Sequence, residues 1–167
     1  MAEEKTMMDR LMDLSIGERA ALKREAGKCL AEADAEALTV FFRIVPRGLK
    51  IWEQECWFSV ATIACLWKLN EADAAGEFPS LLGRYAAGGR TEGVEKKLQA
   101  LLDARWDNDG YFSGKLSRLA RMLKSKMPYR MPDFDRLWAD LKHWNSDKRF
   151  VQIRWVQLFY QAMNEEE

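Results

Sequence analysis

The segment from Lys115 to Arg130 narrows what this chain can fold into more than any other. Advancing ~100° per residue, a helix there gathers Leu116, Leu119, Ala120, Leu123 and Met127 into one arc. Lys115, Arg118, Arg121 and Lys124 project from the opposite side, and the segment, which also holds Lys126 and Arg130, contains no acidic residue. One face is therefore suited to a core while the other is uniformly positive. Solvated helix faces usually mix signs, because (i, i+4) pairs of opposite charge stabilise them. A face without carboxylates suits an external polyanion; a plain solvated face is the simpler alternative.

The same period recurs along the chain. Met8, Leu11, Met12 and Leu14 mark a short amphipathic helix over Met7 to Leu14, and Ser15 with Glu18 forms a capping box for the next. Asp34 is placed to cap a third helix, with Leu38, Phe41, Phe42 and Val45 as its stripe and Pro46 as its stop. Trp52 to Trp67 is the most apolar helix and is expected at the centre. Asn70 to Pro79 reads as a loop. A short helix then begins at Ser80 and stops at Gly88-Gly89, followed by one carrying Val94, Leu98, Leu101 and Leu102. Ser113-Gly114 introduces the basic helix, Pro128 and Pro132 bound a linker, and Phe134, Leu137, Trp138, Leu141 and Trp144 mark the next face. The segment Arg149 to Met163 is apolar nearly all round, which predicts a largely buried helix. Sustained alternation and hairpin signals are absent. The expected fold is all-α, about eight helices in a compact two-lobed bundle, with lobes at 1–106 and 107–167 meeting near Trp106 to Gly114. Apolar residues make up 48% of the chain, seven of them Trp, enough for a sizeable core.

Formal net charge is zero, which alone argues against a nucleic-acid partner. Its distribution argues otherwise. Met1 to Val40 holds nine acids and six bases, whereas Arg84 to Arg154 holds sixteen bases and nine acids. The N-terminus lacks a signal-peptide pattern and no apolar run approaches membrane-spanning length, so a cytoplasmic protein without membrane contact is expected.

Catalytic constellations are missing. His143 is the single histidine and has no convergent partners. The turn at Asp107 and Asp109 has its glycine too early for a calcium loop and lacks the closing Glu. Either Asp133 or Asp135 is expected to cap the helix that follows. Cys29, Cys56 and Cys65 are widely spaced in apolar contexts, which fits buried thiols better than a metal site. No enzyme, metal or cofactor is expected. Among the aromatic residues, Tyr85, Trp106, Tyr111 and Tyr129 are the candidates for stacking on bases.

Several stretches, in this order, resemble one family. Glu18-Arg-Ala-Ala-Leu-Lys-Arg24 resembles the opening of the CasB proteins, small subunits of the type I-E CRISPR Cascade surveillance complex. Ser80 to Arg84, Gly89-Arg90 and Lys96 to Leu102 are similar to the family's central block, and Leu116 to Leu123 to its basic helix. Asp133-Phe134, Leu137, Asp140-Leu141, Trp144, Trp155 and Phe159-Tyr160 resemble its closing helices. The resemblance implies a non-catalytic helical subunit, present as a pair, touching the backbone and large subunits of a complex built on CRISPR RNA. It also implies a basic groove that contacts target DNA along its strand backbones and stabilises the R-loop, chiefly by holding the displaced non-target strand. By position it nominates Lys23, Arg24, Arg84, Arg90, Lys96, Lys97, Arg118 and Arg121, to which the charge pattern of the basic helix adds Lys124. Where the family carries arginines in the central block this chain has Lys96 and Lys97, and Ala120 replaces one of two adjacent arginines in the basic helix. The alternative is a helical protein–protein scaffold without DNA contact.

Overall fold

Side-chain caps set where several of the helices begin. In the computed structural model, which describes residues 4–107 and 109–165, Ser15 accepts the Glu18 amide at 3.1 Å while Glu18 accepts the Ser15 amide at 3.0 Å, opening α2 (Ile16–Lys23). Thr6 and Asp9 make a second such box at α1 (Met7–Met12). Asp34 accepts the Ala37 amide at 2.8 Å and starts α3 (Ala35–Ile44). Of the two aspartates flanking Phe134, Asp133 caps α8 (Phe134–Lys142), accepting the Arg136 amide at 3.0 Å. Asp135 reaches across the fold to the first turn of α1, where it accepts the Met7 and Met8 amides at 2.7 and 3.4 Å.

The remaining elements are a 3-10 turn (Leu30–Glu32), α4 (Ile51–Ala64), β1 (Asp73–Gly76), α5 (Phe78–Ala87), α6 (Thr91–Asp103), α7 (Tyr111–Lys126), β2 (Arg130–Pro132) and α9 (Phe150–Glu165). The described residues thus form an all-α fold of nine helices. α4 is central as expected: every residue from Cys56 to Trp67 is buried, and the helix packs against α2, α7 and α8. Phe41 of α3 meets Phe58 edge-to-face at 5.2 Å. Buried residues on both sides of the 106/107 boundary, Trp57 and Trp155 among them, belong to one apolar cluster.

Local expectations fail in several places. Of the expected α3 stripe only Phe41 is buried, beside Ala37, Val40 and Ile44, while Phe42 is 54% exposed. Asn70 to Pro79 and the linker between Pro128 and Pro132 each contain a strand, and the two pair in parallel, Asp73 with Arg130 and Ala74 with Met131. Segments this short show no period of two, and their pairing is set from outside. Trp67 donates its indole N–H to the Met127 and Arg130 carbonyls at 3.0 and 3.1 Å, holding β2 in register. α7 starts at Tyr111, so Ser113 and Gly114 lie within the helix. The turn after α2 crosses there: Gly27 has φ 92°, and a β-carbon on it would stand 3.1 Å from that of Ser117. Finally, α9 buries Val151, Gln152, Trp155, Phe159 and Ala162 but exposes Phe150, Ile153, Val156 and Tyr160. Its packing is chiefly against α5, which covers one side only.

Candidate nucleic-acid interface

Leu116, Leu119, Ala120 and Leu123 turn α7 into the core, and Arg118, Arg121 and Lys126 come out exposed on its other side. Lys115 and Lys124 lie half-buried at the flanks. Lys115 Nζ sits 4.7 Å from the centre of the Tyr111 ring, which is 59% exposed, so a cation and an aromatic face stand together at the helix start. Arg121 is held: its Nε donates to Ser117 Oγ at 3.2 Å and its Nη2 to the Ala26 carbonyl at 3.3 Å. A guanidinium has five N–H donors, so outward-facing ones remain. Among the described residues, no carboxylate pairs with Lys115, Arg118, Arg121, Lys124, Lys126 or Arg130.

Two neighbours extend this face. On one flank α6 places Lys97 Nζ 4.0 Å from Met122 Sδ. On the other, the Arg121–Ala26 contact brings in the end of α2, which carries Lys23 and Arg24. Lys23 is exposed and in no ion pair among the described residues, whereas Arg24 pairs with Glu36 at 2.9 Å on the open surface. Such pairs contribute only ~0–1 kcal/mol, so a phosphate can compete for the guanidinium. Arg90 stands at the start of α6, about 10 Å along the axis from Lys97, over the Tyr85 ring at 5.0 Å. Lys96 pairs with Glu92 at 3.4 Å. Arg84 is half-buried and donates to the Ala75 carbonyl at 3.3 Å, which ties α5 to β1 instead of presenting its charge outward. Arg118, Arg121, Lys124, Lys97 and Lys23 are thus drawn together around α7, and Arg84 is not.

Of the stacking candidates, Trp106 is buried edge-on against Phe112 at 5.4 Å, out of reach of a base. Tyr111 and Tyr129 are exposed. His143 ends α8 and leans on Phe150 at 5.8 Å. Asp109 accepts the Tyr111 amide at 2.9 Å, giving the turn a structural role and holding the Asp109 carboxyl below the usual carboxylate range. Among the described residues no group of three or more His, Cys, Asp or Glu is placed to hold a metal ion. No described helix is long and apolar enough to cross a membrane. Half-buried Arg19 and exposed Lys68 also come together beside α2, a proximity that no linear motif announces.

The family model of the CRISPR-associated protein Cse2 matches residues 18–160. The chain belongs to the Cse2 family. This is the family of the CasB resemblance, and the match runs from the capping box of α2 into α9. The chain is similar over 93% of its length to a Cse2-family CRISPR-associated protein from Thermus thermophilus, covering 96% of that chain at 25% identity with a TM-score of 0.75. M. ruber CasB shares the fold at 20% identity, with 98% and 97% of the two chains covered and a TM-score of 0.70. A chain of a CRISPR RNA-guided surveillance complex shares it at 22% identity, with 96% and 91% covered and a TM-score of 0.70. No curated protein sequence matches significantly.

Proposed function

We propose that this Cse2 protein is a non-catalytic small subunit of a type I-E CRISPR surveillance complex that holds DNA by its phosphates, the displaced strand above all. The observation that carries the reading is the face of α7, where Arg118 and Arg121 stand exposed with no carboxylate partner among the described residues. Lys97 and Lys23 widen that face on its two flanks. Phosphate contacts of this kind are blind to sequence, in keeping with a complex whose guide RNA does the reading. Strand held here must be stripped off before the duplex can re-anneal, which biases the R-loop towards staying open. Side-by-side copies would lengthen the track and add avidity.

The test is binding of the purified chain to unrelated single-stranded DNA across a salt series. Engagement of about five phosphates gives a slope of log K against log salt near −3.5, and Arg118→Glu with Arg121→Glu reduces its magnitude by about 1.4. A flat salt dependence, or a double variant that binds like the parent, removes the reading. The exposed stripe of Phe150, Ile153 and Val156 on α9 favours a second role beside it, contact with other protein subunits of the complex. Loss of assembly on charge reversal of α7, with DNA binding normal, would assign that face to scaffolding instead.

A further inference from the structure

The basic surface around α7 continues past Lys23 into a cleft of about 380 Å³ between α2 and the segment that follows α4. That volume lies within the range of ligand sites, roughly 300–1,000 Å³. Its floor is apolar, made by buried Leu66, Trp67 and Leu69, with Ala20 and Ile16 of α2 as its wall. Ile16 is 77% exposed at the mouth, and Met12 beside it is 42% exposed. The rim is cationic: Arg19, Lys23 and Lys68 stand against one carboxylate, Glu71, and none of the three is ion-paired among the described residues. Arg19 spans the mouth, its Nη1 3.2 Å from Asn70 Oδ1 and 3.7 Å from Met12 Sδ.

An apolar floor under a positive rim selects a ligand with a flat apolar body and an attached anion. An unstacked nucleotide has that form, its base presenting apolar faces while the neighbouring phosphates carry the charge. Continuity with α7 favours it over other amphipathic anions. Arg121 grips the Ala26 carbonyl, and the Ala26 amide donates to the Lys23 carbonyl at 3.2 Å, so one short turn joins the α7 face to the rim of the cleft. We infer that the cleft receives an unstacked base of the strand bound along α7, with its flanking phosphates on Lys23 and Arg19. The inference rests on the single-strand binding proposed above and adds a site for the base, which phosphate contacts alone do not require.

The experiment compares a labelled oligothymidylate with an otherwise identical strand carrying abasic residues. The protein is the full chain, as parent, Ala20→Leu and Ile16→Ala. Both positions are solvent-exposed on α2, so the fold survives: the first variant fills the cleft and the second removes its outer wall. The parent is expected to bind the base-bearing strand at least about fivefold tighter, the gain from removing roughly 40 Å² of apolar surface from water as one base covers the cleft floor. Ala20→Leu should erase that preference while leaving affinity for the abasic strand and the salt slope unchanged, and Ile16→Ala should reduce it. Arg118→Glu with Arg121→Glu should weaken both strands alike. Equal affinity of the parent for both strands overturns the base site and leaves phosphate binding standing. A preference that Ala20→Leu does not touch does the same. If Ala20→Leu impairs assembly with protein subunits but not strand binding, the cleft takes a partner's side chain and the inference is wrong. Absence of any binding by the parent at low salt removes both this site and the reading beneath it.

Discussion

Asp140 is the carboxylate whose loss the fold should feel most. It is 4% exposed, and Arg154 Nη2 donates to its two oxygens at 2.6 and 2.8 Å. Trp155 Nε1 donates to it at 2.9 Å and Arg136 Nε lies 3.3 Å away. Asp140→Ala leaves the indole N–H of a fully buried Trp155 without an acceptor, at a cost of about 1–3 kcal/mol. Breaking a buried ion pair costs about 3–5 kcal/mol, but Arg154 keeps Glu77 at 2.6 Å and its side chain is 28% exposed, so only part of that figure applies. The sum is about 3–4 kcal/mol, which at ~2–4 °C per kcal/mol for a chain of this size lowers Tm by about 10 °C. Asp140→Asn keeps one acceptor for the indole and loses the charge, so it should cost about half as much. Urea unfolding measures both, as a fall in midpoint at constant m. An Asp140→Ala protein within ~0.5 kcal/mol of the parent would refute the reasoning, because no such network could then bear on stability. So would an Asn variant as unstable as the Ala variant, since the lost acceptor would not be the cause.

Gly83→Ala should be destabilising by about 1–3 kcal/mol or more, read as a lower Tm, because a β-carbon there collides with the Phe159 carbonyl and stands 3.0 Å from that of Ala162. The Ala37 amide holds the Asp34 carboxyl below its ordinary 3.8, so its contribution to stability is present above that value and lost as pH falls through the lower folded one. Asp34→Asn should accordingly flatten the acid limb of a urea-midpoint titration below about pH 5, and an unchanged limb would exclude the cap as its source. Burial pushes the Cys65 thiol up to about 12 and the Cys56 thiol higher still. Neither should react with a thiol reagent at neutral pH until the chain unfolds, and prompt labelling of folded protein would contradict that packing.

What the sequence made legible was local. Ser15 with Glu18, and Asp34, announce their helices because cap and capped amide lie within one turn. The α7 stripe was legible for the same reason, since one period sorts core from surface. The parallel strands were not, because Asp73 and Arg130 lie far apart in the chain and each strand is too short to show a pattern. α9 misled in another way: apolar residues all round a helix predict burial all round, yet burial depends on how many neighbours cover it. At the candidate site the positive residues could be read off, but their commitments could not. Nothing near Arg84 in sequence says that its guanidinium donates to Ala75, nor anything near Arg24 that Glu36 faces it.

Those commitments also explain how a chain with equal numbers of acids and bases can carry a strongly positive face. In the first forty-odd residues four acids meet local bases, Asp13 with Lys5, Glu25 with Lys28, Glu36 with Arg24 and Glu18 with Arg43, while Asp9 and Asp34 cap helices. Further on, the acids are taken up elsewhere. Asp109, Asp133 and Asp135 accept helix-start amides, and Asp140 serves Arg154, Arg136 and Trp155. Glu92 pairs with Lys96, Glu95 accepts the Tyr160 hydroxyl at 2.6 Å, and Asp103 lies 3.9 Å from Arg149. Among the described residues none of these carboxylates is ion-paired with a cation of α7. Five of the sixteen bases from Arg84 to Arg154 therefore stand on that helix without an ion-pair partner among the described residues, and neutralising them falls to counterions or to a ligand. A polyanion that displaces those counterions gains their release, and that gain is largest where the protein supplies no carboxylate of its own.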